Sequence, residues 1–132
     1  MANKKSVVLG FAAVALLAGT VAVAGSKVSR FVYVSGGSSG YATGALGSAR
    51  GSSDTSQNIG CTVGAWGDGT RTMTCYAASS TGAYASCSSN VPEMVEAVYS
   101  MSDSAYLEFY YSGSQCTRVY VHHSSIYAPA QP

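Results

Sequence analysis

The sequence predicts an α+β domain that is mainly β: an antiparallel sheet of about five to six short strands, one helix over about 91–101, and two disulfides. Three observations carry this. Runs of period-2 alternation, separated by short turns containing glycine, mark paired strands. One stretch after Asn90 places its apolar residues at helical spacing. Four cysteines follow an apolar, lysine-led N-terminus, as in small chains stapled outside the cytosol.

Lys4 and Lys5 precede an apolar, small-residue run from Val7 to Ala24, interrupted at Gly19 and Thr20, and Ala22-Val23-Ala24 supplies an A-x-A cleavage signal. Residues 1–24 are therefore expected to be a signal peptide of bacterial type. It leaves a single secreted or periplasmic domain, 25–132, with no membrane association after cleavage. No cysteine directly follows the apolar run, so a lipid anchor is not expected. Charged residues make up 10% of the chain, and its few Lys and Arg are scattered, which argues against a nucleic-acid partner. A domain of this size buries roughly two-thirds of its unfolded surface, so the core is small and crosslinks matter.

Val28 to Ser35 has the β-branched and aromatic content of a first strand. The Gly/Ser-rich stretch 36–56 reads as a surface loop segment, partly ordered. Inside it, Gly36 to Gly40 matches the G-x-S-x-G nucleophile-elbow pattern, but no helix signal follows directly and the chain is too short for the large parallel sheet that motif needs. The run from Ser48 to Cys61, S-A-R-x-S-x-D-x-x-Q-x-I-G-C, resembles small exported bacterial proteins of unassigned function with four cysteines. That resemblance implies a family and no activity. Physically, Arg50 and Asp54 are placed to pair and Gln57 to cap backbone groups, making Arg50, Asp54 and Gln57 a candidate loop site.

Ile59 to Ala77 is the clearest hairpin. Ile59, Cys61, Val63 and Ala65 alternate with small polar residues, as do Met73, Cys75 and Ala77, and Gly67-Asp68-Gly69 suits a three-residue loop whose last residue needs positive φ. Closing that loop with Trp66 opposite Thr70 sets Cys61 against Cys75 at a non-hydrogen-bonded pair, the site where a disulfide closes most easily. A second turn, Ser80-Thr81-Gly82, brings Cys87 opposite Cys75 as well, but at a hydrogen-bonded pair. The expected bridges are Cys61 with Cys75 and Cys87 with Cys116, and Cys75 with Cys87 is the alternative. Spacings of 13, 11 and 28 residues between the cysteines do not fit a zinc site.

Asn90 is placed to cap the helix, with Glu93 three residues on and Pro92 in the first turn. Val91, Met94, Val95, Val98 and Met101 form its apolar face. The last hairpin turns at Ser112-Gly113-Ser114; a three-residue loop sets Leu107 against Val119, Phe109 against Thr117, Glu108 against Arg118 and Tyr106 against Tyr120. The end of the chain, 128–132, is expected to be a loose tail.

For chemistry, the chain offers little that is marked. His122 and His123 point to opposite faces of a strand, so no metal site is expected, and no spacing singles out a Ser, His and Asp set. No catalytic residue or cofactor is assigned. The most distinctive surface is the outward face of the last hairpin, where Tyr106, Tyr110 and Tyr120 surround Glu108 and Arg118. Tyrosine offers large amphipathic area at low entropic cost, which suits a protein or glycan partner. The expectation is a non-catalytic exported binding or envelope-associated module. A protein-docking inhibitor or toxin-like effector, and after it a small hydrolase, are the rival readings.

Overall fold

The structure, a computed structural model, describes residues 27–129; the signal peptide expected over 1–24 lies outside the described residues, as do the last three residues of the tail. Seven strands form one sheet: β1 (Tyr33–Val34), β2 (Ser39–Ala45), β3 (Asn58–Ala65), β4 (Arg71–Ala78), β5 (Tyr84–Ser89), β6 (Tyr106–Ser112) and β7 (Gln115–His122). Two helices, α1 (Leu46–Arg50) and α2 (Pro92–Tyr99), complete the mainly β domain. The strand order is β1-β2-β6-β7-β5-β4-β3. Every neighbouring pair is antiparallel except β5 with β7, which run parallel and share the single register pair Ser88 with Gln115. Two antiparallel halves thus meet at a narrow seam.

Alternation explains the two faces. Val34, Ala42, Ile59, Met73, Cys75, Ala77, Ala85, Cys87, Leu107, Phe109, Tyr111 and Cys116 are buried on one side, where Val95 and Val98 of α2 and Ala49 of α1 join them. Met94 and Met101 pack against this core, whereas Val91 is exposed. Both expected disulfides are present, Cys61–Cys75 and Cys87–Cys116, with no free cysteine, which fits an oxidising compartment. The first ties β3 to β4. The second closes the β5–β7 seam.

The β3–β4 hairpin has the expected register from Asn58↔Ala78 to Ala65↔Arg71. Trp66 N–H donates to the Thr70 carbonyl at 2.9 Å, so Trp66 and Thr70 are the hydrogen-bonded closing pair, and Gly69 carries the positive φ of 88°. Counting from that pair puts Cys61 and Cys75 at a non-hydrogen-bonded position, the geometry the turn chemistry implies. The β4–β5 turn closes the same way, with Gly82 at φ 86° and Ser79 N–H bonded to Ala83.

Five expectations need correction. The stretch 36–56 is not a loop segment throughout: it contains β2, which pairs with β6 over its whole length, and α1. Ala42 and Ala45 are fully buried there, and a side chain on Gly44 would press on Val32, so small residues that look like linker composition are the price of close packing. The expected first strand shrinks to β1, although Ala45 N–H still reaches the Arg30 carbonyl at 2.8 Å.

Helix α2 starts later than expected and is not capped by Asn90. Val91 stands at the N-cap with no side-chain hydrogen bond, and Ser89 Oγ accepts the Val91 N–H instead. The β6–β7 turn has two residues, Gly113 and Ser114, and the register shifts between Tyr110 and Tyr111. Phe109 therefore opposes Val119, Glu108 opposes Tyr120, Leu107 opposes Val121 and Tyr110 opposes Arg118. A two-residue turn alone would flip β7; the extra residue at the bulge, Thr117, restores the buried face, leaving Thr117 and Arg118 both exposed. Finally, the start of the expected tail, 128–132, is packed: the Ala128 carbonyl occupies the space a side chain on Gly47 would need, directly after Tyr127, which stacks on Tyr106.

Candidate functional site

The face of the sheet opposite α1 and α2 has two characters. Over β3, β4 and β5 it carries mostly small hydroxyl residues, with Thr74 Oγ1 and Ser88 Oγ bonded at 2.8 Å, beside half-buried Tyr76 and exposed Tyr84. Over β1, β2, β6 and β7 it is aromatic. Period-2 alternation aims Tyr33, Tyr41, Tyr106, Tyr110, Tyr120 and His122 outward, and the registers Tyr41↔Tyr110↔Arg118 and Tyr33↔Thr43↔Glu108↔Tyr120 bring them into rows.

The rings form a continuous ladder across four strands. Tyr33 and Tyr41 have centroids 5.6 Å apart, Tyr41 and Tyr110 5.6 Å, and Tyr110 and Tyr120 6.3 Å. From Tyr120 the contacts continue through His122 at 6.0 Å to Tyr106 at 5.2 Å from His122, and on to Tyr127. Tyr33, Tyr41 and Tyr120 remain 53%, 37% and 44% exposed, too open for a ladder serving only as packing. Beside it, a shallow hollow of about 460 Å³ is lined by Arg30, Phe31, Tyr33, Tyr41, Thr43, Tyr106 and Tyr127. Its floor is fixed by the hydrogen bond between Thr43 Oγ1 and the Tyr106 hydroxyl.

Glu108 and Arg118, expected to oppose each other, lie in neighbouring rows. The Tyr110 hydroxyl donates to Glu108 Oε1 at 2.5 Å, and that bond raises the tyrosine pKa above its ordinary value. The Arg118 guanidinium lies over Tyr110 at 5.0 Å and Tyr120 at 5.9 Å from the ring centroids. The cation steadies the rings, and the carboxylate fixes one hydroxyl. Of this face, the sequence pattern marks Tyr106, Tyr110 and Tyr120 but not Phe31, Tyr33, Tyr41 and Tyr127. Alternation in Phe31-Val32-Tyr33-Val34 is a usable signal for two of them; Tyr41 is hidden in glycine and serine.

Asp54 and Gln57, the other expected pair of site residues, form a clasp. Asp54 Oδ1 accepts the backbone N–H groups of Ser56 at 2.8 Å and Gln57 at 2.7 Å, and the Gln57 side-chain amide donates to Asp54 Oδ2. These bonds, the Gln57 side chain first, hold the Asp54 carboxyl well below the usual carboxylate range. Gln57 Oε1 accepts the Val32 N–H at 3.0 Å, and Ser48 Oγ accepts the Arg30 N–H at 2.9 Å. The Ser48 to Gln57 run thereby pins the segment that leads into β1. Arg50 lines, with Asp54 and Gln57, a hollow of about 330 Å³ beside Ile59.

A larger hollow, about 680 Å³, lies between the tip of the β3–β4 hairpin and the first turn of α2. Trp66, Arg71, Thr72, Asn90, Pro92, Val95 and Glu96 line it. It is the roomier space, and its charged lining groups are Asp68, Arg71 and Glu96. Among the described residues no group of three or more His, Cys, Asp or Glu is arranged to hold a metal ion. His122 packs against Tyr106 and Tyr120, while His123 Nδ1 lies 3.5 Å from Ser102 Oγ. The geometry defines a disulfide-stapled single-sheet domain with an open aromatic face. Comparison with protein-family models, with curated proteins and with solved structures found no match.

Proposed function

We propose that the protein is a non-catalytic exported binding module of the bacterial envelope that holds an extended glycan against its tyrosine face. The observation that carries this reading is the exposed ladder running from Tyr33 through Tyr41 and Tyr110 to Tyr120, with a hollow at its flank. Rings 5.6 Å apart, with Tyr33 and Tyr41 exposed, offer apolar strips edged by phenolic hydroxyls, matching a neutral, hydroxyl-rich chain. The disulfides and the lysine-led leader support a location outside the cytosol.

Cosedimentation with purified insoluble cell-wall glycan tests it. The exported chain should pellet with the glycan, and Tyr41→Ala and Tyr120→Ala should each reduce retention by about tenfold, a loss of ~1.4 kcal/mol, with thermal stability little changed. A stoichiometric protein partner with no glycan retention would replace this reading with the inhibitor or effector alternative.

A further inference from the structure

The geometry points to a second copy of this chain as the partner of the open edge of β3, joined by antiparallel pairing of the two Cys61–Ala65 segments. Because Trp66 and Thr70 are a hydrogen-bonded pair, the even residues of β3 spend their N–H and C=O groups on β4, and the odd residues turn theirs to the edge. Near Ile59 the edge lies under α1, and Ile59 is buried. From Cys61 to Ala65 it is open. The outward N–H and C=O groups of Cys61, Val63 and Ala65 have no hydrogen-bond partner among the described residues.

Exposed edges are normally blunted by charge, proline or a bulge. The stretch from Asn58 to Trp66 has no charged residue and no proline, and its pairing with β4 is unbroken. Two copies therefore meet there without like charges in contact. Pairing centred on Val63 opposite its own equivalent is the register that uses all three outward residues, since Cys61 then faces Ala65 of the other copy and the reverse. The same register places Trp66, 55% exposed, opposite Gly60, which the Tyr76 side chain covers. The two-fold arrangement closes on itself and leaves both tyrosine faces free.

Amide hydrogen exchange across a concentration series reads this directly. In dilute protein the Thr62 and Gly64 amides should exchange slowly and those of Cys61, Val63 and Ala65 fast. As concentration rises the three fast amides should slow in step with a doubling of mass in sedimentation. Their protection equals the inverse of the unpaired fraction, about tenfold when nine-tenths of the chains are paired. Thr62→Lys, at an exposed position beside the dyad, and independently Trp66→Ala should return the protein to monomer with the odd amides fast. A chain that stays monomeric up to millimolar concentration overturns the inference, as does a dimer in which Cys61, Val63 and Ala65 still exchange fast.

Discussion

Replacing Cys87 and Cys116 together by alanine attacks the narrowest joint in the sheet. Strands β5 and β7 share one register pair, and the Ser88 N–H to Ser114 carbonyl bond of 2.9 Å lies at that point. The bridge closes a loop with a sequence separation of 29. Chain entropy assigns such a loop roughly 3.5 kcal/mol, and the two missing sulfurs, both buried, leave a small void that adds to the loss. For a domain near this size each kcal/mol shifts the midpoint by about 4–8 °C, so thermal unfolding should fall by about 15–25 °C. Total stability for such a domain is about 5–15 kcal/mol, so the variant still folds. Cys61→Ala with Cys75→Ala is the control. It loses roughly 3 kcal/mol by the same reasoning but leaves eight residue pairs between β3 and β4. Circular dichroism melts give the midpoints, and hydrogen exchange at Ser88 shows whether the seam opens before the rest. If the Cys87 and Cys116 variant melts within about 5 °C of the native protein, or Ser88 stays as protected as in the control, the seam is not held by the bridge and the reasoning fails.

Three further outcomes are expected. Gln57→Ala should cost about 1–3 kcal/mol, because it leaves the N–H of buried Val32 without its acceptor; a loss under half of that would show the clasp is ornamental. Asp54, whose folded pKa is depressed, contributes stability that is present above the ordinary aspartate range and is lost as pH falls from about 4 toward the folded value. Asp68 titrates with the same sign through its bonds to Thr70, so the acid limb should be shallower, not absent, in Asp54→Asn, as read by urea midpoints against pH. Tyr111→Phe removes a buried hydroxyl that has no hydrogen-bond partner among the described residues, so stability should hold or rise by up to about 1 kcal/mol, and a clear fall in denaturant midpoint contradicts that placement.

Elements whose residues state both period and turn are legible from sequence. The β3–β4 hairpin is the plainest case: Gly69 fixes the turn, the turn fixes the register, and the register selects the Cys61–Cys75 bridge over Cys75–Cys87. The β6–β7 hairpin shows where such counting stops. Its faces follow from alternation, but one bulged residue moves every partner, and nothing in Cys116-Thr117-Arg118 marks a bulge. Strand β2 is hidden because Gly40, Ala42 and Gly44 lie where bulk does not fit, so the strand carries no apolar alternation to see. For the same reason only the half of the tyrosine face on β6 and β7 is visible in the residues alone. The Asp54 and Gln57 arrangement is foreseeable as capping, while its target, the Val32 N–H, depends on a chain reversal that no local pattern encodes.

Radical footprinting tests the tyrosine face most directly, because it works with the ligand still unidentified. Oxidation of Tyr33, Tyr41 and Tyr120 is compared between free protein and protein retained on a bacterial envelope fraction, with exposed Tyr99 and Trp66 as internal references. Binding through the ladder predicts protection of the three tyrosines relative to Tyr99. Unchanged labelling of all three in retained protein, with protection at Trp66 or Tyr99 instead, would contradict it.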